Sequence, residues 1–165
     1  MQTEDFKKLL FKTAFCVMAC DGNIDESEIE EMKKIDSSTT YFNDIDLSIE
    51  LDNLISDLKN KNVKIVKNLF DSLRENTLSI SQELLILEVT LRIINADNII
   101  DENEVRFLNL IRSKLDVADK IISERFGKIS YLKNLNHEEI QINKPNLINE
   151  INITDIKNWE DVNLT

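Results

Sequence analysis

Glycine and proline are nearly missing from this chain of 165 residues, which has two of the first and one of the second. Sheet-rich folds reverse direction at intervals of roughly 8–12 residues and need such residues at the turns. Their scarcity predicts long helices joined by short polar loops. Basic charge is also in deficit, with 20 Lys and Arg against 31 Asp and Glu and a net charge of −11. That field repels nucleic acid unless a local basic patch offsets it. Lys59, Lys61, Lys64 and Lys67 come nearest, but Asp57 and Asp71 flank them, as on a solvated helix face.

Other absences exclude further classes. No apolar run approaches the ~20 residues that span a bilayer, and the polar stretch Met1–Lys8 has no signal-peptide core. A cytoplasmic protein without direct membrane insertion is expected. Two cysteines are too few for a zinc site. Cys16 and Cys20 share one face of a helix and are expected as buried core thiols. The single histidine, His137, stands beside Glu138 and Glu139 and reads as a surface residue. No glycine-rich phosphate loop or nucleophile motif occurs, so no enzymatic activity is expected. The 42% of hydrophobic residues is ample for a packed core.

Apolar spacing predicts seven helices. They cover Glu4 to Cys20, Glu26 to Asp36, a stretch carrying Leu47 to Leu58, another carrying Val63 to Leu73, Ser81 to Ala96, Glu102 to Leu115, and Ala118 to Phe126. The fifth is apolar nearly all round and is expected at the centre of an all-α bundle. A helical domain over 1–127 is followed by an irregular extension, 128–165, broken by Pro145 and many Asn residues. That extension is expected to pack partly on the domain or to engage a partner. Its Trp159 is expected to fold back over the core, and Thr154 to cap a last turn.

A duplication organises the domain. Leu9–Ile35 aligns with Leu85–Ile111, pairing Asp21 with Asp97, Gly22 with Asn98, Asp25 with Asp101 and Glu28 with Glu104. Gly22 and Asn98 fall where a chain leaving a helix turns left-handed. Asp25 and Asp101 are placed as N-caps, with Glu28 and Glu104 completing capping boxes. Ile24 with Ile29, and Ile100 with Val105, are placed as hydrophobic staples. Asp21 and Asp97 remain, each at the negative end of a helix dipole. A local side-chain turn, a basic residue across the fold or a bound cation would each offset that cost.

The cation reading has a limit. Asp-Gly-x-Ile-Asp-x-x-Glu matches the last eight positions of a calcium loop. The first and third ligand positions would then fall on Val17 and Ala19, or on Ile93 and Asn95, which excludes a complete loop of that type. A weaker divalent site, for calcium or magnesium, would use Asp21, Asp25 and Glu28, or Asp97, Asp101 and Glu104.

The segments Ala19–Glu28 and Ala96–Glu104 resemble the signature of the TerB-like tellurite-resistance family. That signature is Ala-Asp-Gly-x-Ile-x-x-x-Glu, ending one helix and starting the next, twice per chain. Cys20 before the first Asp and Asn98 in place of the second glycine depart from it. The resemblance covers about Phe6 to Phe126. It implies a bundle wrapped around a central helix and a non-enzymatic role in bacterial stress response or defence. It also implies a protein partner, in some relatives at a membrane-associated complex, and a related domain occurs in a membrane-anchored co-chaperone. Two functions are therefore expected: an acidic interaction module, or a divalent-metal-binding or metal-sensing module built on the six carboxylates.

Overall fold

Five of the described helix starts are set by side chains that accept the first free amides. The computed structural model describes residues 2–60, 64–132 and 162–164. Among them are α1 (Glu4–Ala19), α2 (Glu26–Ser38), α3 (Leu47–Lys59), α4 (Ile65–Glu75), α5 (Ile80–Ile94), α6 (Glu102–Ser113) and α7 (Asp119–Phe126), with no strand. Thr3, Asp25, Asp46, Ser79 and Asp101 each accept from amides of the first turn they precede. Full capping boxes close at Asp25 with Glu28 and at Ser79 with Gln82.

The turns at the two junctions repeat each other, but a full capping box follows only the first; at α6 Asp101 caps the helix without the expected box with Glu104. The Gly22 amide donates to the Ala19 carbonyl, and the Asn98 amide to the Asn95 carbonyl. Both residues are left-handed, with φ of 83° and 61°. The Asn23 and Ile99 amides then donate to Asp21 Oδ1 and Asp97 Oδ1, each at 2.9 Å. That local turn is what offsets a carboxylate at the negative end of the helix dipole.

Two helices carry most of the fully buried side chains. Leu10, Ala14, Phe15, Cys16, Val17 and Met18 of α1 are fully buried, as are Ile86, Leu87, Val89 and Ile94 of α5. The most extensive packing is between α1 and α5. α1 is also covered by α3, α4 and α6, and α5 by α2 and α6. Two buried hydroxyls are satisfied locally: those of Thr13 and Thr90 donate to the carbonyls of Leu9 and Ile86. Both cysteines are buried and free.

Two peripheral ties fix the ends. Buried Glu83 accepts from the Asp116 and Val117 amides, and buried Arg112 donates to Asp119 at 2.7 Å and to the Leu115 carbonyl. Leu164 is buried in the core cluster, with Val162 packed against it. His137, Pro145, Thr154 and Trp159 lie outside the described residues. Among the described residues, no helix is long and apolar enough to cross a membrane.

The left-handed junctions give a stability prediction. A Cβ in that region costs about 1–2 kcal/mol, and Asn tolerates it better than Ala. Gly22→Ala is expected to lower unfolding free energy by about that much, and Gly22→Asn, which copies Asn98, by clearly less. Urea denaturation of the two variants checks it; equal losses would contradict the conformational account.

Candidate carboxylate site at the paired helix junctions

The repeat brings the starts of α2 and α6 together. Glu28 and Glu104 each occupy the third position of their helix, and each turns inward from its cap. They are 2% and 3% exposed and in side-chain contact with each other. Glu28 Oε2 accepts from the Asp25 amide at 3.1 Å, while the Asp101 amide steadies the charged form of Glu104. Asp25 Oδ1 accepts from the Ser27 amide and hydroxyl, each at 3.0 Å. Asp101 Oδ1 accepts from the Asn103 and Glu104 amides.

Two buried carboxylates in contact cannot both ionise cheaply. Burial, then the hydrogen bond with Glu104, pushes Glu28 up to about 10. Burial pushes Glu104 up to about 7, against the hydrogen bond from Glu28, which favours its charged form. One proton is therefore shared between the two carboxyl groups at their contact. Glu104 Oε2 is buried and has no hydrogen-bond partner among the described residues.

Negative charge surrounds this pair. Asp21 is raised, first by partial desolvation, against the Asn23 amide, and then by Asp101 and Asp25. The buried Cys20 thiol is raised well above its ordinary range, by burial first and then by Asp21, Glu104, Glu28 and Asp101. Cys20 thus sits among carboxylates from both repeats and is held as an inert thiol. Of the six expected residues, Asp21, Asp25, Glu28, Asp101 and Glu104 share this neighbourhood. Asp97 belongs to the same loop as Asp101 and is engaged by the Ile99 amide. None of the six forms an ion pair with Lys or Arg among the described residues. No group of three or more His, Cys, Asp or Glu that could hold a metal ion occurs among them either.

The staples differ between the copies. Ile24 is 1% exposed and belongs to the core, and Ile29 packs against it as expected. Ile100 is 45% exposed and outside the core cluster. Its neighbour Ile99 is 69% exposed. Elsewhere, an open groove of about 710 Å³ runs between α1, α3 and the ends of α4 and α5, floored by Phe6, Leu9 and Leu54. None of the six carboxylates lines it.

The contact between the two glutamates predicts a pH dependence. In the unfolded chain both titrate near 4.5, and in the fold both are raised. The folded state holds more protons above 4.5, so the pair lowers stability as pH rises through about 7 toward about 10. Glu28→Gln keeps an acceptor for the Asp25 amide and gives Glu104 a permanent donor. It is expected to stabilise the protein by about 1–2 kcal/mol near pH 9 and to change little near pH 4. Thermal melts across that range check it; a variant parallel to the wild type would show that no shared proton exists.

Compared with family models, with curated proteins and with solved structures, the chain gives no significant match. Its function therefore has to be argued from its own geometry.

Proposed function

We propose that the chain is a non-enzymatic acidic interaction module of the stress-response or defence type that its resemblance to TerB-like proteins implies. One observation carries this reading: both repeats deliver carboxylates to one end of the bundle, and among the described residues Asp21, Asp25, Glu28, Asp97, Asp101 and Glu104 form no ion pair with a basic side chain. Such a surface gains free energy by receiving positive charge from outside. Nucleic acid and anionic lipid are disfavoured by the same field, so the partner is a protein, at a membrane-associated complex where one is involved.

A second reading keeps a divalent cation, calcium or magnesium, as the positive charge. It is favoured by the buried Glu104 Oε2, which has no hydrogen-bond partner among the described residues. The carboxylates would have to draw closer, since no ready group of three exists among the described residues.

The two readings predict different outcomes. With the full chain as bait in lysate of its native host, the first expects a partner retained at about 50 mM salt and released near 0.5 M. Asp21→Asn with Asp101→Asn should weaken retention; nothing retained at low salt would sink the module. The second expects calcium, magnesium or manganese at millimolar level to raise the melting temperature by mass action. It fails if no ion does so, or if Glu104→Gln leaves the shift intact.

A further inference from the structure

The duplicated junctions are alike in backbone and unlike in what they show to solvent. Both make the same left-handed turn and the same Asp-to-amide bond. In the first copy the turn is followed by Asn23 and by Ile24, whose side chain is 1% exposed. In the second the matching positions are Ile99 and Ile100, at 69% and 45% exposure. Backbone geometry does not require this, because the first copy makes the same turn with Asn and an inserted Ile. Two adjacent isoleucines at a loop tip therefore serve no visible packing purpose, and exposed apolar patches of this kind mark contact sites.

Charge decides what covers them. Asp97 and Asp101 flank the pair in sequence, and Asp101 lies close enough to Asp21 to raise it. Glu102 is engaged by Arg106 at 2.5 Å. The chain's own residues 133–161 carry three lysines against six Asp and Glu, so the acidic frame repels them. A second copy of the chain, at net −11, is repelled as well. So is an anionic lipid surface. A cationic protein segment is attracted.

We propose that the Ile99–Ile100 tip of the α5–α6 loop is a docking surface for a basic peptide segment that carries an aliphatic or aromatic residue. The isoleucines supply an apolar contact at the centre, and Asp97, Asp101 and Asp21 supply a negative rim for Lys or Arg, the usual division between core and rim of an interface. This deepens the interaction-module reading and rests on it.

The test uses the full chain and a labelled amphipathic peptide of Lys and Leu, followed by anisotropy at low salt. Ile99→Asn with Ile100→Ser is expected to weaken binding at least about tenfold with an unchanged melting temperature. Ile49→Ser, which removes an equally exposed isoleucine on α3 (56%), should not. Equal affinity for wild type and the double variant overturns the docking surface while leaving a module that binds elsewhere. No binding by the wild type overturns both. A change in sedimentation of the double variant would make a second copy the occupant. A change in the emission of Trp159, the single tryptophan, would make it the chain's own segment. Either result overturns the proposal. Should the double variant unfold, Ile99→Asn alone, which copies the first junction, carries the same comparison.

Discussion

The contact between Glu28 and Glu104 is the constraint on which the junction end of the bundle depends. Each glutamate is fixed by its own helix start, Glu28 by the Asp25 amide and Glu104 beside the Asp101 amide. Neither can withdraw without loosening the cap that begins α2 or α6. Bringing two such helix starts together forces two carboxylates into one dry space, where one proton makes the contact attractive and its loss makes it repulsive. Cys20, buried beside them, feels the charge of both repeats. The paired junctions thus behave as one electrostatic unit, although they are separated by about half the chain.

Much of the fold was legible because helical periodicity and cap chemistry are local. Asp25 followed by Glu28 marks the start of α2, and Gly22 and Asn98 mark the left-handed exits from α1 and α5. The centre was less legible. α1 carries an amphipathic stripe in sequence, yet Phe11, Phe15 and Cys16, on other faces, are buried as well. The reason is tertiary: α3 and α4, inserted between the repeats, pack on α1. Among the described residues α5 packs chiefly on α1, α6 and α2, and Arg92, Leu84 and Leu85 are partly exposed despite its apolar sequence. A pattern read along one helix does not contain the placement of the helices that cover it.

The site was legible as a set of residues and illegible as a pair. Sequence placed Asp21, Asp25, Glu28 and their counterparts at two junctions, and the local turns at Asp21 and Asp97 were among the explanations it allowed. That the two glutamates meet depends on the angle between α2 and α6, which no short-range signal encodes. A usable signal was present: a duplicated unit with an inward-facing third helical position places equivalent residues near the axis relating the copies. The exposure of Ile100 is the opposite case. The same spacing that inserts Ile24 into the core leaves its counterpart in solvent, because the helices around the two junctions differ.

Each carboxylate at this end has a structural use when taken singly, so capping alone gives no reason to look for a function. The choice of residue argues otherwise. A capping box needs a side-chain acceptor at its third helical position, and glutamine serves as well as glutamate. This chain uses glutamine in that way: Gln82 accepts from the Ser79 amide at 2.9 Å and closes the box at the start of α5. At α2 and α6 it uses glutamate instead, and there the two carboxylates press against each other out of water. Glutamine at either position would cap the helix, fill the space and remove the repulsion. Two glutamates retained where one amide would be more stable are a cost to folding that capping does not explain.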